Sequence, residues 1–180
     1  SGWVKRGNLG IDTQLFSANA NASDTVNLRF VSTNVIRLYS FLNSAACYID
    51  TSAVFRDPSA WYHIVAVHDT TNATSSDRLQ LYVNGVRQAV SASGTATLNS
   101  DGQVNATVAH AIGAWTNGPT QYFDGYMAEI HFIDGTALDA DDFGEFNSTT
   151  GEWVPKEVTG LTYGTNGFYL PLSDNTNTTT

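Results

Sequence analysis

The segment at residues 115–122 contains the residue types that bind sugars. Trp115, Asn117 and Tyr122 lie there among small polar residues, in the sequence Trp-Thr-Asn-Gly-Pro-Thr-Gln-Tyr. Sugars present hydroxyl groups around an apolar face, so a sugar site combines aromatic platforms with amide and hydroxyl groups. We therefore predict a glycan site at Trp115, Asn117 and Tyr122. The alternative is that Trp115 packs at an edge of the fold or against a neighbouring subunit.

Acidic residues in polar loops have the chemistry of calcium ligands. Asp69 and Asp77 bound a loop rich in Thr, Ser and Asn, and Asp101 follows Asn-Ser in a second polar stretch. Ca²⁺ prefers several oxygens from carboxylates, amides and carbonyls. No EF-hand spacing is present in the sequence. We expect no cofactor other than a Ca²⁺ ion in these loops, with Asp69, Asp77 and Asp101 as candidate ligands.

The sequence contains only weak signs of a catalytic site. A strand through residues 129–134 would place Glu129 and His131 on one face and Asp134 on the other. Retaining glycosidases need two carboxyl groups facing one cleft, and no second carboxylate stands two residues from Glu129. The Gly-x-Ser-x-Gly motif of hydrolytic serine nucleophiles is also absent from the sequence. We therefore expect no catalytic residues and no enzyme activity.

Charge and composition exclude several function classes. The 180-residue chain has 8 Lys and Arg against 17 Asp and Glu, a net charge of -9, and so lacks a basic footprint for nucleic acid. Its apolar runs are far shorter than the ~20 residues of a membrane-spanning helix, so we expect no membrane insertion. The single Cys47 cannot form an internal disulfide. Charged residues are only 14% of the chain, which suits a surface packed against copies of itself.

The elements that position these residues are predicted to be strands. Apolar and polar residues alternate with a period of two, Thr, Val and aromatic residues abound, and turn signals recur. The strongest strand spans residues 61–68, Asn84-Gly85 predicts a type I′ hairpin turn, and one long strand with a break or bulge at Gly125 covers residues 122–133. A helical turn capped by Asp139 is also expected. The fold class is thus all-β, an antiparallel β-sandwich of jelly-roll type with at most one short helical turn.

The domain organisation is predicted to be simple. One sandwich domain spans residues 1–174, and residues 175–180 form a frayed tail. The chain opens directly on a strand-like Ser-Gly-Trp-Val-Lys, and we expect it to be a segment of a longer protein. Trp3, Trp61 and Trp153 lie in strand-like contexts, and we expect them in the core.

Three motifs carry a resemblance to a known fold family. They are Trp-Tyr-His-Ile-Val-Ala-Val at residues 61–67, Leu-Tyr-Val-Asn-Gly at 81–85 and Phe-Asp-Gly-Tyr-Met-Ala-Glu-Ile at 123–130. In this order they resemble the concanavalin A-like, laminin-G-like jelly roll over roughly residues 1–140. The resemblance implies a β-sandwich. The family includes both lectins and glucanases, so the resemblance leaves the function open.

A narrower resemblance lies downstream. Motifs at residues 132–138, 142–145, 151–156 and 163–170 resemble laminin-G-like modules in structural proteins of marine tailed phages. The resemblance implies a virion surface module of a tail fibre, appendage or head decoration. Its partners would be other virion proteins, copies of itself or a host surface glycan. One alternative is a lectin-like module of a secreted or cell-surface bacterial protein, hence extracellular. The other is a concanavalin A-like glycoside hydrolase, which only the fold favours.

Overall fold

The computed structural model describes residues 1–21, 24–42, 45–118 and 120–173. The predicted tail at 175–180 lies outside the described residues. The strands are β1 (Gly2–Arg6), β2 (Thr13–Asn21), β3 (Asp24–Phe30), β4 (Ile36–Leu42), β5 (Ala45–Thr51), β6 (Tyr62–His68), β7 (Leu79–Val83), β8 (Val86–Arg87), β9 (Val90–Ser93), β10 (Ala109–Ile112), β11 (Gly125–Ala128), β12 (Ile130–Phe132), β13 (Gly144–Phe146), β14 (Trp153–Pro155) and β15 (Phe168–Leu170).

Two large sheets form the body of the fold. The five-stranded sheet has the order β11-β1-β6-β7-β8, and the six-stranded sheet has the order β10-β2-β3-β4-β5-β9. Their strands pair in antiparallel fashion. Antiparallel sheets with one apolar face each stack with those faces inward. The predicted all-β antiparallel sandwich is confirmed.

The core lies between the two sheets. Val4, Ile64 and Leu81 from the five-stranded sheet and Phe30 and Ile36 from the six-stranded sheet belong to one buried cluster. These residues occupy alternate strand positions, as in β7 where buried and partly exposed residues alternate. The period-two pattern of the sequence therefore sets which face of each strand is buried.

A third layer covers the outer face of the five-stranded sheet. Val65 and Val67, which point away from the core, are buried in a second cluster with Ala140 and Phe143. Partly buried Trp153 packs against the same cluster. β6 is thus apolar on both faces, which explains its nearly continuous hydrophobic run. This layer, built from the chain after residue 132, was not expected from the sequence.

The hairpin between β7 and β8 has the predicted geometry. Asn84 and Gly85 have φ values of 49° and 80°, as a type I′ turn requires. A Cβ at position 85 would overlap the ring of Trp153, so this glycine is also needed for the approach of the third layer. The return strand β8 is short, and the chain then crosses to the six-stranded sheet as β9.

The long strand predicted at residues 122–133 is wrong. Residues 125–132 form two strands, because Glu129 has a φ of 52° and interrupts the extended backbone. β11 pairs with β1 in the five-stranded sheet, whereas β12 pairs with β15. Positive φ at a glutamate cannot be read from an alternating pattern, and this residue redirects the chain into the third layer.

The predicted helical turn forms at Ala140–Asp142 as a 3-10 turn. The Asp139 carboxylate accepts from the Asp141 N–H at 3.0 Å, and the Asp142 carboxylate accepts from the Asp139 N–H at 3.0 Å. This reciprocal arrangement is a capping box. A further 3-10 turn spans Ser75–Asp77. Over the described part of the chain, no helix is long and apolar enough to cross a membrane.

Candidate functional site on the six-stranded sheet

The outer face of the six-stranded sheet carries a group of aromatic and charged side chains. In β3 and β4, Leu28 and Leu38 point into the core. The residues that alternate with them along each strand therefore point outward. Cross-strand register then aligns Arg29 with Arg37 and Asp50, and Tyr39 with Tyr48. We call the five half-buried residues of this group the tyrosine face: Arg29, Arg37, Tyr39, Tyr48 and Asp50.

An ion pair holds one end of the tyrosine face. Arg37 donates from Nε and Nη2 to the two carboxylate oxygens of Asp50 at 2.6 and 2.7 Å. This hydrogen bonding raises the pKa of Arg37. The Arg37 guanidinium also lies 4.1 Å from the ring centroid of Tyr48, and the rings of Tyr39 and Tyr48 are stacked 6.3 Å apart. The result is a positioned aromatic surface with polar edges.

The described residues of the loop at 114–122, which are 114–118 and 120–122, lie beside this face, over β2. Ser17 donates from Oγ to the carbonyl of Ala114 at 2.8 Å and accepts from the N–H of Thr116 at 3.2 Å. The amide nitrogen of Gln14 donates to the side-chain oxygen of Gln121 at 2.7 Å. Outward polar residues of β2 therefore anchor the loop that contains the predicted sugar-binding residues.

The three predicted glycan-binding residues lie in this one loop. Trp115 is half-buried and forms an isolated bridge with Thr120, Asn117 is exposed, and Tyr122 is 60% exposed. Their role in binding sugar stays a prediction. Sequence reasoning missed the tyrosine face, although alternate aromatic and charged positions at 37, 39 and 41 were visible in the β4 pattern.

The predicted calcium ligands are not gathered into one acidic cluster. Asp69 accepts from the N–H and hydroxyl of Thr71 at 3.0 and 2.6 Å, and Asp77 is paired with Arg87. Asp69 and Asp101 line a common cavity. Within the described ranges, no three His, Cys, Asp or Glu residues form a group that could hold a metal ion. Calcium binding stays a prediction, and no step of the proposed function uses it.

A histidine on the outer face of β6 is engaged on both ring nitrogens. The indole Nε1 of Trp153 lies 3.0 Å from His63 Nδ1, and Ser1 Oγ lies 2.8 Å from Nε2. Because an indole N–H only donates, Nδ1 must accept, which leaves the proton on Nε2. Burial lowers the pKa of His63 to about 3. The ring is therefore neutral, without a free lone pair.

The acidic residues near β12 contact the third layer. Tyr169 donates its hydroxyl to Glu129 at 2.5 Å, and this hydrogen bond raises the Tyr169 pKa to about 12. Asp134 accepts from the side-chain amide of Asn105 at 2.6 Å and from the N–H of Asn166 at 3.1 Å. The Glu129 carboxylate therefore binds β15, and the Asp134 carboxylate links Asn105 to Asn166.

The tryptophans predicted to be in the core differ in burial. Trp3 and Trp153 are half-buried, and both stack on His63 with centroids 5.0 and 5.9 Å away. Trp61 is 40% exposed, so its prediction is wrong. It immediately precedes β6 and is therefore not part of the strand whose residues are buried.

Comparison with known proteins identifies the family. A family model of laminin-G type, described as the concanavalin A-like lectin/glucanases superfamily, matches residues 1–142. No curated protein matches the chain, and no solved structure does either. The match contains both large sheets and ends just before most of the third layer. The chain belongs to the concanavalin A-like lectin/glucanase superfamily.

Proposed function

We propose that this chain is a non-enzymatic adhesion module that binds glycans between the tyrosine face and the loop at 114–122. The observation that carries the proposal is the stacked pair Tyr39 and Tyr48 on the outer sheet face, beside a loop that contains Trp115. The family fits this role, since it includes lectins.

The chemistry of the two surfaces matches that of a sugar. Rings of Tyr39, Tyr48 and Trp115 offer apolar platforms for the C–H face of a pyranose. Asp50, Asn117 and the guanidinium of Arg29 stand near these rings by register or within the same loop, and they provide acceptors and donors for hydroxyl groups. A shallow site of this kind binds an extended glycan and does not enclose it.

The contacts of His63, Glu129 and Asp134 support a non-catalytic role. A general base needs a free lone pair within reach of substrate, and both nitrogens of buried His63 are occupied. Glu129 is bonded to the hydroxyl of Tyr169, and Asp134 to Asn105 and the Asn166 backbone. A glycoside hydrolase would have to use other groups. Release of reducing sugar from polysaccharides by the purified chain would contradict the non-enzymatic proposal.

The proposal is tested on a glycan array with the purified chain and substituted variants. We expect Trp115→Ala and Tyr48→Ala each to weaken binding at least tenfold, about 1.4 kcal/mol, since each removes a stacking platform. Trp61→Ala is the matched control, because it removes an exposed indole that precedes β6 and should leave binding unchanged. An equal loss of glycan binding in all three variants, or no loss in any of them, would overturn the proposed site.

We propose a tailed-phage virion surface as the setting, in a tail fibre, appendage or head decoration. The support is the resemblance of residues 132–170 to modules of marine tailed-phage structural proteins. Partners would be other virion proteins or copies of this chain. Mass spectrometry of purified virions should detect the tryptic peptide at residues 79–87. Finding it only in bacterial secretions or envelopes would favour the alternative of an extracellular lectin-like module.

A further inference from the structure

We propose that Arg29 is a charge anchor for carboxylated sugars, so that the tyrosine face prefers acidic glycans over neutral ones. The inference rests on the proposed glycan-binding function and names its ligand class. It is carried by Arg29, a half-buried cation at the β3 edge of the face that has no hydrogen-bonded or ion-paired partner in the described ranges.

The two arginines of the tyrosine face differ in their partners. Arg37 is held by both carboxylate oxygens of Asp50. Arg29, its direct register neighbour, makes no hydrogen bond or ion pair with any other residue in the described ranges, and its Nε is buried without an acceptor. Asp50 is already engaged by Arg37. Asp12, the other nearby carboxylate, accepts from the N–H of Ser32 at 2.8 Å.

The environment of Arg29 favours binding of an anion. Its guanidinium lies 5.9 Å from the ring centroid of Tyr39 in a half-buried position. Burial lowers the pKa of Arg29, and the carboxylates of Asp12 and Asp50 oppose this effect without contacting the guanidinium. A carboxylate that forms paired hydrogen bonds with the guanidinium would offset this desolvation and gain geometric specificity.

Two acceptors flank this cation. Gln14 lies opposite Arg29 on β2, and Asn27 lies two residues away on the same face of β3. Both residues are at least 99% buried, and the side-chain oxygen of each has no hydrogen-bond donor. Because these oxygens have no solvent-accessible surface, a glycan does not reach them, and a buried water is the donor that would satisfy them.

A sugar acid fits this surface better than a neutral sugar does. Its carboxylate accepts from the guanidinium of Arg29, and its ring packs on Tyr39 and Tyr48. A neutral sugar makes the ring contacts alone, and a simple inorganic anion makes the contact with Arg29 alone. The combination of one cation with an aromatic platform therefore selects a carboxylated sugar, such as a uronic acid residue in a polysaccharide.

The test compares acidic oligosaccharides with their own carboxyl-reduced forms. The probes are oligouronates and sialylated oligosaccharides, each beside the neutral sugar made from it by carboxyl reduction. Binding is measured by array and by calorimetry for the wild-type chain, Arg29→Gln and Arg56→Gln. Arg56 is exposed, so Arg56→Gln is the control for an equal change in net charge. Thermal unfolding checks that each variant is folded.

We expect the wild-type chain and Arg56→Gln to bind at least one acidic probe tenfold or more tightly than its reduced form. Arg29→Gln should abolish that preference and keep the weaker, Trp115-dependent binding to the neutral form. Equal binding of acidic and neutral forms by the wild type, or a preference that survives in Arg29→Gln, would overturn this inference and leave the glycan-binding proposal intact. Binding to no sugar on the array would overturn both.

Discussion

At the scale of single residues, Trp153 joins the third layer to the sandwich. Its indole N–H donates to His63 Nδ1 at 3.0 Å. Its ring lies so close to Gly85 and Gly144 that a Cβ at either position would overlap it. The hydrogen bond matters because His63 is 1% exposed, so solvent cannot easily reach Nδ1 to replace a lost donor. One side chain therefore fixes both the orientation of His63 and the position of the added layer.

Replacement of Trp153 tests this coupling. Trp153→Phe keeps an aromatic ring but leaves Nδ1 of His63 without a donor, and we expect a loss of about 1–3 kcal/mol in the free energy of unfolding. Trp153→Ala also leaves a cavity, with an expected loss of about 3–5 kcal/mol. Urea unfolding followed by circular dichroism measures both values. Trp61→Phe should change stability little, and equal losses at positions 61 and 153 would contradict this account.

Residue-scale chemistry was only partly readable from the sequence. Small polar neighbours predict exposure of Trp115, Asn117 and Tyr122, and in the structure Asn117 and Tyr122 are exposed whereas Trp115 is half-buried. Tyr39 and Tyr48 were missed, because their contact depends on the register between β4 and β5. The lack of a partner for Arg29 depends on three-dimensional neighbours in the same way, since no one-dimensional pattern shows which of two arginines obtains Asp50.

At the scale of elements, the break at Glu129 shows how local backbone geometry redirects the chain. A φ of 52° costs a non-glycine residue free energy, so surrounding contacts must stabilise it. The Glu129 carboxylate accepts from Tyr169 at 2.5 Å, and the ring of Tyr169 stacks on His131 with centroids 4.5 Å apart. These contacts hold β15 against β12, so the residue that ends β11 also fastens the last strand.

The hydrogen bond between Tyr169 and Glu129 predicts an alkaline effect. The bond raises the Tyr169 pKa in the folded chain to about 12, against about 10 in the unfolded chain. Its contribution to stability is therefore full below pH 10 and is lost as the pH rises toward 12. Ultraviolet titration of tyrosine absorbance should show a group that titrates near 12 and is absent in Tyr169→Phe. In Glu129→Gln that group should titrate nearer 10, and an unchanged titration would contradict the assignment.

The main elements could be predicted from sequence, but their extent and layering could not. Residues 62–68 and the Asn84-Gly85 turn carry strong local signals, because alternation and positive-φ propensity act over a few residues. The apolar outer face of β6 was visible in Val65 and Val67, yet its cover comes from residues about 70 positions later. Long-range packing of this kind leaves little trace in a local pattern.

At the scale of the whole molecule, the third layer buries His63 on the outer face of the five-stranded sheet and His131 in β12. His63 and His131 are 1% and 5% exposed, and burial lowers their pKa values to about 3 and about 4. His68, at the end of β6, also has a pKa lowered by burial. The layer therefore depends on histidine neutrality, and its attachment links the stability of the molecule to pH.

Acid should destabilise the molecule before most carboxylates are protonated. In the unfolded chain the histidines take up protons below about pH 6.5, whereas the folded chain keeps His63 and His131 neutral down to about 3 and about 4. Since the unfolded state binds more protons in this window, the contribution of these two histidines to stability is full above pH 6.5. As the pH falls, it decreases by up to about 1.4 kcal/mol per pH unit for each histidine.

Urea unfolding between pH 7.5 and 4.5 measures this slope. His110→Asn serves as the control, because His110 is exposed and its substitution should leave the slope unchanged. His63→Asn removes one titrating group and should reduce the slope between pH 6.5 and 5. A free energy of unfolding that stays constant from pH 7.5 to 5 would show that the buried histidines pick up protons as readily as in the unfolded chain. The third layer would then not exclude solvent from the outer face of β6.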